Sequence, residues 1–242
     1  MDMTRDFIEK LQEMDNPHEV DYSGHKFVDK EMSILPQETT ATPLKTSTLT
    51  SIVDYITSGA DAAPLPASKF VIHVSGYNSV ELYKELNSDK CRDHLLSASF
   101  EAPAFPYGLF LPIENFIIDL QSMFLQDDNT KALLEFVGSV KNDSSVEQMD
   151  DGVSQKVQAM NGISLAKNVK APNPVYLSPF RTFSEVKQPQ SAFVFRLRKD
   201  DSQGVTAALF EADGSAWKHE AIDAVQTYLS DNLDGRPVII LA

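Results

Sequence analysis

The stretch SAFVFRLRK, residues 191 to 199, alternates apolar and other side chains with a period of two. That is the pattern of a half-buried β-strand. Phe193, Phe195 and Leu197 point one way, and Val194, Arg196 and Arg198 point the other. On either side lie PVYLSPFRTF, residues 174 to 183, and GVTAALFEA, residues 204 to 212, with turn signals between them. Their β-branched and aromatic content suits a pleated surface, so three successive strands predict an antiparallel meander. The turn ADGSAW then leads into a helical pattern over about 215 to 233, with Trp217, Ile222, Val225, Tyr228 and Leu229 along one side. RPVIILA follows as a predicted buried strand.

Working back from the meander, Ile113, Phe116, Ile117, Leu120 and Phe124 follow helical spacing and form a wide core-facing stripe. A second helical pattern from about 129 to 140, after Asp127 and Asp128, completes a predicted helical hairpin. KNDSSVEQMDDG reads as an acidic, solvated connection, and QKVQAMNGI fits a short helix or a strand. Earlier still, FVIHVSG at 70 to 76, SVELYKEL at 79 to 86 and SASFEAPAF at 97 to 105 read as strands. His73 in the first of these suits an ordinary sheet position better than a catalytic one. The fold class expected is α+β: a mostly antiparallel sheet with packed helices, preceded by an N-terminal helical arm.

The arm is read from residues 4 to 14, TRDFIEKLQEM. Phe7, Ile8, Leu11 and Met14 form one stripe of a short helix capped by Thr4. Such a helix is marginal alone in water and must dock, on its own core or on a neighbouring subunit. The chain from Pro17 to about residue 37 reads as irregular or weakly extended. ETTATPLKTS at 38 to 47 reads as a linker, a second helix covers about 48 to 58 with Gly59 as its stop, and ADAAPLPASK forms a second linker. These features divide the chain into an arm over residues 1 to 67 and a main domain over 68 to 242.

Composition narrows the function classes. The 242 residues carry 21 basic and 35 acidic side chains, a net charge of −14, which disfavours ordinary nucleic-acid binding unless a basic patch is segregated. Residues 165 to 199 are such a patch, with seven bases against Glu185 alone (7 − 1 = +6), whereas residues 1 to 38 hold ten acids and four bases (4 − 10 = −6). The single cysteine, Cys91, allows no intramolecular disulfide and is expected to be a buried or half-buried small hydrophobe. MDMTRDFIEK lacks the apolar run of an export signal, and no apolar run approaches a membrane span, so the expected location is a cytoplasm without membrane contact.

Two guanidiniums at i and i+2 on a strand sit roughly 7 Å apart at Cα, a spacing suited to a carboxylate or phosphate. Arg196 and Arg198, joined by Arg181 from the neighbouring strand, therefore form a candidate anion site. Such a site would take a nucleotide, a nucleic-acid end or an acidic peptide. The plainer alternative is a solvated face that pairs with Glu211, Asp213 or the acidic arm of another subunit. Glu211 and Asp213, two residues apart after a strand, could hold magnesium, but Asp213 or Ser215 equally suits a turn and helix cap. No glycine-rich phosphate loop, Rossmann fingerprint, HExxH, paired zinc cysteines or nucleophile elbow appears. The five histidines, His18, His25, His73, His94 and His219, lack metal-ligand spacing. Neither a catalytic set, a metal site nor a cofactor is assigned.

FPYGLFLPIENFIIDLQSMFLQDDNTKALLEFVGSVK resembles the middle of the YfdQ-like family of phage and prophage proteins. NPVYLSPFRTFSEVKQPQSAFVFRLR, followed by AALFEADGSAWKHEAI, is similar to that family's C-terminal signature. The resemblance spans about residues 44 to 233. It implies a phage or prophage origin, hence the host cytoplasm, and a domain of unknown function with no established catalytic residues to carry over. The favoured expectation is a non-enzymatic accessory protein that self-assembles into a symmetric homo-oligomer through its arm. The alternative is a module that captures a nucleotide or other acidic ligand and blunts a host-defence signal. A metal-dependent enzyme built on Glu211 and Asp213 is the third.

Overall fold

A computed structural model describes residues 5–22, 25–31, 41–61, 69–88, 90–141, 146–150, 155–159, 168–170, 173–200, 202 and 204–242. The chain forms two compact units, Met1–Thr39 and Thr40–Ala242. The first contains α1 (Arg5–Asp15), β1 (Glu19–Tyr22) and β2 (His25–Val28). The second begins with β3 (Leu44–Thr46), α2 (Thr50–Ser58), β4 (Phe70–Gly76), β5 (Ser79–Lys84), β6 (His94–Ser99), β7 (Leu111–Pro112), α3 (Ile113–Met123) and α4 (Asp128–Lys141). It continues with β8 (Val146–Asp150), β9 (Gln155–Ala159), β10 (Asn168–Lys170), β11 (Val175–Leu177), β12 (Ser191–Asp200), β13 (Gly204–Glu211), α5 (Trp217–Asn232) and β14 (Val238–Leu241). The class is α+β, with mostly antiparallel pairing and a helix ahead of the strands.

In the first unit, the segment expected to be irregular or weakly extended is extended over β1 and β2, which pair as an antiparallel hairpin with Val20 opposite Phe27. Lys30 Nζ reaches the Asp15 carboxylate at the end of α1 (2.6 Å), and His18 N donates to Asp29 Oδ1 (2.8 Å). The hydrogen bond and charge of Lys30 hold the Asp15 carboxyl below the usual carboxylate range. The expected cap Thr4 lies outside the described residues.

The second unit holds two cores. One lies between the sheet of order β11-β12-β13-β7 and the α3/α4 hairpin. Its floor is the apolar side of β12, where Phe193, Phe195 and Leu197 are buried as their alternation predicts. Phe116 and Phe136 meet Phe195, and Phe124 meets Phe193, in tilted or edge-on pairs that favour ring quadrupoles. The hairpin is shaped by its ends. Gln126 Nε2 donates to the Leu120 and Phe124 carbonyls (3.0 and 2.9 Å), and Asp127 Oδ1 accepts the Thr130 amide (2.8 Å) to cap α4.

The other core lies between the five-stranded sheet β14-β4-β5-β6-β3 and helices α2 and α5. Here the domain boundary differs from the expected one: the compact unit starts at Thr40, not near residue 67. Two features draw the segment in. β3, expected to be linker, pairs in parallel with β6, and α2 buries Ile52, Tyr55 and Ile56 beside a buried Leu49. Glu185 Oε1 accepts the amides of Leu49 and Thr50 (2.8 and 3.2 Å), supplying from 135 residues away the cap that α2 lacks locally. Gly59 ends α2 with φ 68°, as its position suggests. The proline-rich linker at 62–68 lies outside the described residues.

Other departures have simple causes. PVYLSPFRTF pairs with β12 only over Val175–Leu177, because Pro179 cannot extend the ladder and bridges instead to Phe124. QKVQAMNGI and the acidic connection contribute β9 and β8, which pair with each other, and β9 pairs on its other side with β10. β14 is an edge strand rather than a buried one. Only its even-numbered residues Val238 and Ile240 face the core, and Ile239 and Leu241 remain about half exposed (51% and 50%).

Since α2 belongs to the core, Ile52→Ala is expected to cost roughly 2–5 kcal/mol of unfolding free energy, the range for emptying a filled site. Urea titration followed by circular dichroism measures it, and a loss below 1 kcal/mol, which a surface helix would give, refutes the placement.

Candidate functional site

The three arginines singled out in the sequence do not converge. Arg181 stands on the inner side of the β12 sheet, Arg196 and Arg198 on the outer side. The cause is the turn after Pro179. Gln188 Oε1 accepts the amides of Arg181 and Thr182 (2.9 and 3.2 Å), while its Nε2 donates to the carbonyls of Thr182 and Phe183 (3.2 and 3.0 Å). One buried glutamine thus folds the chain back on itself and aims Arg181 inward, where it is only 6% exposed.

At that position the guanidinium is fully engaged. Nη1 donates to Ser191 Oγ (3.1 Å) and Nη2 to Glu211 Oε1 (2.6 Å). Ser191 and Glu211 share the Phe193 side of the sheet, since Phe193 and Glu211 are register partners. The arginine Cζ lies 4.4 Å from the Trp217 ring centroid, 5.0 Å from Tyr107 and 5.4 Å from Phe193. Three aromatic faces and a charge-assisted hydrogen bond compensate the loss of water around the cation. Tyr107 stacks on Phe193 at 5.4 Å with 12° between planes, and Tyr77 meets Trp217 edge-on at 4.8 Å. Arg181 is therefore a filled internal cage, and the anion site loses its third member.

Glu211 and Asp213 are likewise committed to local structure. Glu211 pairs with Arg181, and Asp213 Oδ1 accepts the Ser215 amide (3.1 Å) to close the turn before α5. That helix starts at Trp217 and its N-cap position, Ala216, offers no side-chain cap, so Asp213 serves the turn and not the helix end. Among the described residues, no three His, Cys, Asp or Glu side chains gather closely enough to hold a metal ion.

What remains is the outer face. Arg198 is exposed and lays its guanidinium over Phe110 (4.2 Å), whose ring meets Phe210 edge-on at 6.1 Å. Register sets Val194 beside Phe210, and Tyr176, half exposed, beside Ala192 on the same side. Sequence reading found Arg196 and Arg198 by alternation but missed Phe210, which reaches the face through the pairing of β13 with β12, and Phe110, which reaches it through the pairing of β7 with β13.

Sequence reading also passed over a cluster on the five-stranded sheet. Glu81 Oε2 bonds His94 Nε2 (2.6 Å) and its Oε1 accepts from Ser97 Oγ (3.1 Å), with Tyr83 stacked on His94. The serine there bonds the acid and not the histidine, so no nucleophile is activated. His73 is exposed on β4, and Cys91 is exposed rather than buried because it sits in the loop between β5 and β6, its amide donating to Asn87 Oδ1 (2.9 Å). An open groove of about 730 Å³ is lined by the hydroxyls of Thr46, Ser47, Thr48, Ser99 and Ser184. Its hydroxyls are partly spent on each other and on Ser51, as in Thr48 Oγ1 to Ser51 Oγ at 2.7 Å.

No helix among the described residues is long and apolar enough to cross a membrane. Comparison with family models, curated proteins and solved structures finds no match.

The cage yields one prediction, and the tyrosines Tyr107 and Tyr55 a second. Arg181→Ala leaves Glu211 without its partner and is expected to cost ~3 kcal/mol, the low end for breaking a buried pair because Glu211 stays partly hydrated. Arg198→Ala, on the surface, is expected to cost less than about 1 kcal/mol. Equal losses in chemical denaturation would contradict the division of roles. The second concerns alkaline pH. Burial pushes the Tyr107 phenol above its ordinary value, against the opposing charge of Arg181 and with the help of Glu211 and Asp213. Burial, with a hydrogen bond to Asp61 (3.0 Å), pushes Tyr55 up to about 12. Both folded values exceed the unfolded ones, so the stabilisation is whole below pH 10 and drains away as pH rises from 10 towards about 12. Thermal melts across that window should show a slope that Tyr55→Phe and Tyr107→Phe each reduce; an unchanged slope in both refutes it.

Proposed function

We propose that this chain is a self-associating phage accessory protein whose N-terminal unit is its assembly element. One observation carries the reading. Phe7, Ile8, Leu11 and Met14 share one side of α1 and are exposed at 51%, 44%, 48% and 67%. The adjoining hairpin adds Val20, Tyr22 and Phe27, each more than half exposed. Exposed apolar side chains concentrated in one small unit mark an interaction site. Fully burying one such side chain is worth about 1.5–3 kcal/mol, so covering four offsets much of the entropy lost on association. An 11-residue helix needs that cover to persist in water.

The resemblance of residues 44 to 233 to YfdQ-like proteins supports the phage origin, and with it the host cytoplasm as the place of action. Capture of a nucleotide or acidic ligand is the weaker reading, because Arg181 is withdrawn from the arginine face.

Light scattering on the full chain should give a mass above that of one chain. Leu11→Asp should reduce it towards the single-chain value while leaving the melting temperature of the second unit within a few degrees. An unchanged mass in Leu11→Asp, or a wild type that runs as a single chain at every concentration, would refute the assembly role.

A further inference from the structure

The outer side of β12 has the complementary character. Tyr176, Val194, Phe210 and Phe110 provide an apolar, largely aromatic floor, and Arg196 and Arg198 stand along it. We infer that this face receives α1 of a second copy of the chain, so that two copies exchange arms. The inference rests on the self-association reading and adds the receiving surface.

Three properties match. The first is charge. Residues 1 to 38 carry a net −6, and α1 itself has four acids and two bases (2 − 4 = −2), against Arg196 and Arg198 on the outer side of β12. The second is reach. The stripe from Phe7 to Met14 spans about 10 Å along a helix, and Val194 to Arg198 spans about 13 Å along a strand. The third is chemistry. An apolar stripe flanked by carboxylates meets aromatic rings flanked by guanidiniums, which bond carboxylates in a planar fork. The pairs within α1, Arg5 to Glu9 (2.8 Å) and Lys10 to Glu13 (3.2 Å), are exposed, hold little energy and can re-form with new partners. Exchange of the same helix onto the same face in both directions closes a two-fold dimer.

The test uses complementary full-length variants. Leu11→Asp spoils the arm and leaves the face; Arg198→Glu spoils the face and leaves the arm. Each alone should fall to single-chain mass in sedimentation velocity with a wild-type circular dichroism spectrum. Mixed, they should recover a dimer, because one sound arm meets one sound face. Tyr176→Glu, at another half-exposed point of the floor, should behave as Arg198→Glu does. If Arg198→Glu and Tyr176→Glu both keep the wild-type mass while Leu11→Asp loses it, the assembly reading stands and this face is wrong. If both single variants dissociate but their mixture stays at single-chain mass, reciprocal docking on a second copy is wrong. A wild type of single-chain mass overturns both readings together.

Discussion

The guanidinium of Arg181 is the contact on which the second unit depends. It is held by side chains from four places in the sequence: Tyr107 before β7, Ser191 and Phe193 on β12, Glu211 at the end of β13 and Trp217 at the start of α5. Its own segment joins the two cores, with Leu177 packed in one and Phe183 in the other. A buried cation without compensation would be intolerable, so all these parts must arrive together. The cage thereby specifies one relative placement of meander and C-terminal helix, where apolar packing alone would accept several.

From that constraint follows the division of labour on β12. Its inner side is spent on the core and on the cage that encloses Arg181. Its outer side keeps Arg198 at the surface over Phe110, where desolvation is small and the charge remains usable. The turn held by Gln188 and the alternation of β12 together separate two kinds of arginine that composition lumps into a single +6 patch. A basic stretch in sequence is thus no measure of basic surface, since Arg181 neutralises Glu211 inside the same domain while Arg198 stays at the surface on the opposite side of the sheet.

Much of this was legible in the sequence. The alternation in 191 to 199 located the core face, and helical spacing located α3 and α4, because each element's pattern is set by its own contacts with one core. The failures share a cause. β3 and α2 looked like linker and arm because their burial depends on β6, Glu185 and α5, far away in sequence. Arg181 looked like part of a strand because nothing nearby reveals that Gln188 would bend the chain. Ala221 went unnoticed on α5 because a small side chain carries little hydrophobic signal, although it is completely buried between Trp217 and Val225 on the same helix face.

The order of strands in the five-stranded sheet has a consequence for how the chain comes into being. The first core draws mainly on one continuous run of sequence, from Phe105 to Leu209. The second draws mainly on Leu49 to Phe100 and then on Ile222 to Ile240, with Phe183 and Val186 between. Its sheet has an open edge at β4 until β14, the last strand made, pairs there with Val238 opposite Phe70. During synthesis from the N-terminus, the aromatic core can collapse while the other half waits, its closing loop spanning most of the domain. For that interval β4 presents an unpaired strand edge to the cell, and the vulnerable state of this protein is the nascent one.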